Sequence, residues 1–167
     1  MAQITLKGTP FNLRGELPKV GDDAPDFNLT GADLGPVNLG ALEGKTKVIV
    51  TVPSLDTPVC QTETRTFNEK AAGIDGVEVL VVSADLPFAM KRFCETEGID
   101  GVTACSTLRD RDFGERYGVT IGEGPLQELT ARAVIVVGAD NKVKYVELVT
   151  EVADQPDYDK VLEAAKG

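Results

Sequence analysis

The sequence contains no histidine and no tryptophan. Without imidazole there can be no Ser-His-Asp triad, no Cys-His nucleophile pair, no histidine zinc site and no imidazole acid–base step. Cysteine is scarce too, with 3 in 167 residues. An odd, widely spaced set is not the dense, even-numbered framework of a secreted disulfide scaffold, and a reducing cytoplasm is the expected location. Positive charge is also short: 17 Lys+Arg against 27 Asp+Glu leave a net charge of −10. Such a surface repels phosphate backbones and anionic membranes, so neither nucleic acid nor membrane is an expected partner. The first residues lack a basic segment followed by an apolar run, and no run reaches the ~18 apolar residues of a membrane span. Repeats, low-complexity tracts and linkers are missing as well, which predicts a single domain over residues 1–167. Chemistry at neutral pH falls to the cysteines.

What is present reads as alternating buried strands and helices. Lys47–Val52, Val77–Val82 and Ala133–Val137 are short, β-branched, nearly continuous apolar runs, as expected of strands covered on both faces. Helix-like stretches cover Cys60–Ala72, Pro87–Glu97, Asp110–Tyr117 and Tyr158–Ala165. Ala139-Asp140-Asn141-Lys142 reads as a turn joining Ala133–Val137 to a strand over Val143–Leu148. Val102–Thr107 and Asp26–Thr30 alternate like further strands. Ile4–Lys7 and Phe11–Arg14 flank Gly8-Thr9-Pro10 as an N-terminal hairpin. The expected fold is an α/β sandwich with a mixed central sheet flanked by helices.

The segment after the first buried strand, Pro53-Ser54-Leu55-Asp56-Thr57-Pro58-Val59-Cys60, carries the most information. Thr is a good N-cap and Pro is favoured at the first helical position, which puts Cys60 third in the helix. Free N–H groups and the positive end of the helix dipole favour an anion there, and a thiolate is the anion available. A free thiol of pKa ~8.5 is only ~3% ionised at neutral pH. Full ionisation is thus worth roughly thirtyfold in nucleophile, about 2 kcal/mol of barrier. Alternatively, Cys60 is a small buried hydrophobe and Thr-Pro merely starts a helix. Arg132 stands at the edge of the apolar run Ala133–Val137, where a cation needs a partner. Either an acid or a thiolate satisfies it.

Pro53, Thr57 and Cys60 match the P-x-x-x-T-x-x-C signature of peroxiredoxins, and Arg132 matches their active-site arginine. The segments Ser83–Ala89 with Arg92-Phe93-Cys94, and Gly124-Pro125-Leu126 with Leu129 and Ala131–Val134, are similar to the bacterial thiol peroxidases within that family. The resemblance spans almost the whole chain. It implies a thioredoxin-like fold and an atypical two-cysteine peroxidase that needs neither metal nor other cofactor. It assigns Cys60 as the peroxidatic cysteine, whose thiolate attacks a hydroperoxide and becomes a sulfenic acid. Thr57 would hydrogen-bond the thiolate and the peroxide, Arg132 would favour the thiolate and polarise the O–O bond, and Pro53 would shield the sulfenic acid. Cys94 would resolve it as an intrachain disulfide, reduced in turn by thioredoxin. The family is usually homodimeric.

Other readings remain. Met90, Phe93 and Cys94 are spaced i, i+3, i+4, so Cys94 also fits a buried helix stripe. Cys105, in an alternating strand, reads as a buried structural thiol. Thr57 has one hydroxyl for two tasks, capping the helix and serving the peroxide. Gly122-Glu123-Gly124-Pro125 lacks the third glycine of a dinucleotide fingerprint and reads as a loop. A thiol–disulfide oxidoreductase of the same fold normally needs C-x-x-C, and position 57 is Thr. A redox sensor could use the same Cys60 chemistry.

Overall fold

The β-branched runs form the middle of a mixed sheet in the computed structural model, which describes residues 2–71 and 73–167. Strands β5 (Thr46–Thr51), β6 (Val77–Ser83) and β7 (Thr103–Ser106) are parallel, and β9 (Ala133–Val137) lies antiparallel beside β5. The sheet is completed by β10 (Val143–Leu148) at one edge and by β3 (Asn28–Gly31) and β4 (Pro36–Asn38) at the other, in the order β10-β9-β5-β6-β7-β3-β4. All five residues of β9 are buried, as is every residue of β5 after Thr46. That explains their unbroken apolar pattern, since each face is covered. Even Lys47 is fully buried, its ammonium donating to Gly138 O at 3.1 Å and Asn141 Oδ1 at 2.6 Å in the β9–β10 turn.

Helix α1 (Pro58–Lys70) buries Cys60, Glu63, Thr64 and Phe67, an i, i+3, i+4, i+7 stripe laid on the core. The expected end of this helix at Ala72 lies outside the described residues. Helix α2 (Pro87–Glu97) has the expected bounds. It ends at Gly98, whose φ of 65° closes the helix with an N–H donated to the carbonyl of Cys94. The last helix, α4 (Tyr158–Lys166), caps properly, the Asp157 carboxylate accepting from the Lys160 N–H.

Two local expectations need correction. The stretch Asp110–Tyr117 is helical only over α3 (Phe113–Arg116). Asp110 is drawn out of it because its carboxylate accepts from Asn28 N at 2.9 Å and Arg116 Nη2 at 2.7 Å. The N-terminal turn is Lys7-Gly8, with φ of 53° and 82°, and not Gly8-Thr9-Pro10. Two left-handed residues match the strand twist, so Thr9 and Pro10 already belong to β2 (Thr9–Arg14), paired with β1 (Gln3–Leu6). The hairpin is also part of a three-stranded sheet, because β8 (Thr120–Ile121) pairs with β2.

Candidate active site

The register of β5 on β9 opposes Thr51 to Ala133. The loop that leaves the end of β5 therefore starts beside Arg132, which immediately precedes β9. Side chains seal this junction: Thr51 Oγ1 donates to Ala131 O and Thr130 Oγ1 to Val52 O, both at 2.7 Å. The site thus forms at the carboxyl end of a parallel strand, where open α/β sheets place their ligands.

Thr57 occupies the N-cap position of α1 and Pro58 the first helical position, so Cys60 is third in the helix and fully buried. Thr57 does not cap with its side chain. Its hydroxyl donates to Ser54 O at 3.0 Å, and the first-turn N–H groups are left to an anion at the helix start. Ser54 is in turn held by Asp85, which follows β6. Asp85 accepts from Ser54 Oγ, Leu55 N and Ser83 Oγ, each at 2.7 Å.

Arg132 reaches across to both acidic groups of the buried helix face. Its Nη2 lies 3.3 Å from Cys60 Sγ, and its Nη1 donates to Glu63 Oε2. Nε and Nη2 also donate to Val152 O, at 3.1 and 2.9 Å. The Arg132 and Glu63 side chains are 1% and 0% exposed, so this pair is cut off from solvent screening. Burial pushes the Glu63 carboxyl up to about 7, against the pull of Arg132. Burial works against the charge of Arg132, yet Glu63 and Cys60 together hold it above the ordinary guanidinium value. The two partners that sequence left open for Arg132 are therefore both present. Glu63 was not foreseen; its signal was an acid on the Cys60, Thr64, Phe67 stripe.

Pro53, Thr57 and Arg132 line a cavity of about 210 Å³ with Leu6, Val59 and Val152 among its walls. Apart from Thr57 and Arg132 those walls are apolar. Cys60 is not a lining residue; Arg132, which touches its sulfur, is.

Cys94 stands elsewhere, half-buried in the last turn of α2 and lining a separate cavity with Ile99 and Val102. It packs on the same apolar cluster as Cys60, but both thiols are free. Burial, with a smaller contribution from Glu95, raises its pKa. Cys105 is buried in β7 on the opposite apolar cluster, its thiol pushed far up by burial. Gly122–Pro125 forms no regular element, and Gly124 has a φ of 82° with Phe11 packed where a Cβ would stand. No group of three or more metal-ligating side chains occurs among the described residues.

A buried cysteine third in a helix, bonded to an arginine across a mixed thioredoxin-like sheet, defines a class before any particular protein. The Redoxin family model matches residues 19–162. A thiol peroxidase from Mycobacterium tuberculosis is 54% identical over 164 residues, covering 98% of each chain. Among solved structures, a peroxiredoxin-like protein from Aquifex aeolicus superposes with a TM-score of 0.94 at 50% identity, covering 99% of this chain and 96% of the other. A thiol peroxidase from Chromobacterium violaceum gives 0.87 at 29% identity, covering 98% and 95%. The chain belongs to the Redoxin family and stands in it among the thiol peroxidases, enzymes of the peroxiredoxin type that reduce peroxides with a thiol.

Proposed function

We propose that Cys60 is the peroxidatic nucleophile of a thiol-dependent peroxidase acting on hydrogen peroxide and organic hydroperoxides. The observation that carries this is the 3.3 Å contact of Arg132 Nη2 with a fully buried Cys60 Sγ at a helix start. The thiolate attacks the terminal peroxide oxygen, an S–O bond forms, the O–O bond breaks, and water or an alcohol leaves. Arg132 stabilises the thiolate and the charge developing on the departing oxygen. Thr57 already donates its hydrogen to Ser54 O, so in this state its oxygen is an acceptor for the peroxide O–H. Pro53 lines the cavity and keeps water from the oxidised sulfur. Apolar walls favour organic hydroperoxides alongside the smaller substrate.

Cys94 resolves the sulfenic acid as an intrachain disulfide, and a thioredoxin-type dithiol reduces it. A disulfide needs Cα atoms within ~7 Å, and the position of Cys94 in a helix's last turn suits local unwinding. The chain works as one domain, as a homodimer, in a reducing cytoplasm and without metal or other cofactor. No helix among the described residues is long and apolar enough to cross a membrane. Two measurements test the reading. With thioredoxin, its reductase and NADPH, cumene hydroperoxide or hydrogen peroxide should drive steady NADPH oxidation that Cys60→Ser abolishes. Peroxide-treated protein should yield a Cys60–Cys94 peptide in non-reducing mapping; its absence removes the two-cysteine cycle.

A further inference from the structure

We propose that Glu63 carries a proton while Cys60 is a thiolate and gives it up when Cys60 is oxidised, so the buried site keeps one charge balance through the chemical step. This rests on Cys60 being the peroxidatic thiolate. One guanidinium faces two acids: Arg132 Nη2 touches Cys60 Sγ at 3.3 Å and its Nη1 bonds Glu63 Oε2. All three residues are at most 1% exposed. With thiolate and carboxylate both ionised, the interior holds one uncompensated negative charge, which burial penalises heavily. With one proton on the pair, the charges cancel.

The surroundings decide which acid keeps the proton. The sulfur lies in the first turn of α1, beside free N–H groups and the positive end of the helix dipole. Glu63 sits one turn further in, where that field has faded. No protein donor reaches its Oε1 among the described residues, so the anionic form leaves one oxygen bare. The other groups that face it add no cation. Glu147 on β10 contributes a second negative field. Tyr158 on α4 senses Glu63, its phenol pushed up to about 12 chiefly by burial. The ammonium of Lys70 lies over the Tyr158 ring, 5.3 Å from its centre. Burial accordingly holds the Glu63 carboxyl up to about 7.

The reaction removes the reason for that proton. Thiolate sulfur is oxidised to Cys60–SOH, the O–O bond is reduced and broken, and RO⁻ departs needing one proton. Glu63–COOH becomes Glu63–COO⁻, paired with Arg132, as RO⁻ becomes ROH. Before and after, the buried site holds one cation and one anion. Glu63 therefore acts through the charge of Arg132 as a positioning residue, with a proton count that follows the state of the sulfur.

The test uses full-length Cys94→Ser protein, in which oxidation stops at the sulfenic acid. Oxidised-minus-reduced infrared spectra at pH 6 should show loss of a carboxylic-acid C=O band that shifts with ¹³C-labelled glutamate and is missing in the Glu63→Gln version. An indicator dye should register little proton uptake from solvent per Cys60 oxidised by hydrogen peroxide, against one proton in Glu63→Gln. If Cys60 forms its sulfenic acid by mass spectrometry while no carboxylic-acid band is lost, or while wild-type Glu63 protein takes a full proton from solvent, the proposal is overturned. Neither result depends on the Glu63→Gln protein folding. Failure of Cys60 to oxidise at all is a different outcome, which overturns the peroxidatic reading and this one with it.

Discussion

Ser54 Oγ donates to Asp85 Oδ1 at 2.7 Å, and that bond ties the loop leading to Cys60 to the segment that starts the helix of Cys94. Because β5 and β6 are parallel, their carboxyl ends lie side by side, and Asp85 spans the gap with two hydrogen bonds accepted from Ser54 and Leu55, while a third from Ser83 holds it to the end of β6. Ser54 passes the constraint on through its carbonyl, which takes the Thr57 hydroxyl.

Asp85→Ala should therefore affect both halves of the cycle in opposite directions. Hydrogen bonds to a charged acceptor contribute ~1.5–3 kcal/mol each, so losing this set should slow Cys60 oxidation by about tenfold or more. The same loss frees the two segments to approach, so disulfide formation should speed up and over-oxidation to the sulfinic acid should fall. Stopped-flow oxidation and mass spectrometry after a peroxide pulse check both; unchanged values for both would remove Asp85 from the mechanism.

Arg132→Met should abolish measurable peroxide reactivity and destabilise the fold, since Glu63 Oε2, Cys60 Sγ and Val152 O lose their buried donor at about 1–3 kcal/mol for each group left unsatisfied. Pairing it with Glu63→Leu should recover part of that loss in urea melts, because the buried carboxyl that lost its donor is replaced by an apolar side chain. Activity should not return, since Cys60 still lacks its only guanidinium contact in this site.

Glu63 also links stability to pH. Its carboxyl is raised from 4.5 to about 7, so between those values the folded chain binds more proton than the unfolded chain. Stability should thus fall as pH rises through that window and level off above it. Glu63→Gln should flatten this slope in urea midpoints measured across the range, and an equal slope in both proteins would contradict the shift.

Ala153 and Leu126 both line the apolar cavity. Ala153→Trp fills part of about 210 Å³. Turnover with cumene hydroperoxide should drop by about 5- to 150-fold, the ~1–3 kcal/mol by which pocket shape discriminates, with hydrogen peroxide little changed. Equal losses for both substrates would place the bulky peroxide elsewhere.

Cys105→Ser should leave turnover unchanged. The thiol is fully buried in β7 and contacts neither Cys60 nor Arg132 by any hydrogen bond; its sulfur points at Thr103 O, 3.5 Å away. A stability loss of ~1–3 kcal/mol is expected for the buried hydroxyl. Steady-state assays and urea melts separate the two effects.

The parts of the site legible in the sequence are those whose signals are local. Thr57-Pro58 announces a helix start, which sets Cys60 in the first turn, and a charged Arg132 stands out against Ala133–Val137. Buried strands were legible because β5, β6 and β9 are covered on both faces. Glu63 was not, because its place on the Cys60, Thr64, Phe67 stripe does not by itself mark an acid in a polar-rich helix as buried until Arg132, 69 residues away, is set against it. Asp85 was hidden for the same reason: two of its three donors, Ser54 and Leu55, come from the loop after another strand. Likewise the side chain of Asp110 is claimed by Asn28, and that long-range bond shortened the helix expected around it.

The carbonyl of Val152 that holds Arg132 is itself held from the other end of the chain. Thr5 N donates to Thr150 O at 2.6 Å, and Val152 N donates to Thr5 O at 2.9 Å, while Leu6 forms part of the cavity wall. A nascent chain that has emerged only through its central strands possesses Cys60 and Arg132 but not the clasp that aims the guanidinium. The aim of Arg132 at Cys60 therefore depends on a junction between segments 145 and more residues apart in sequence.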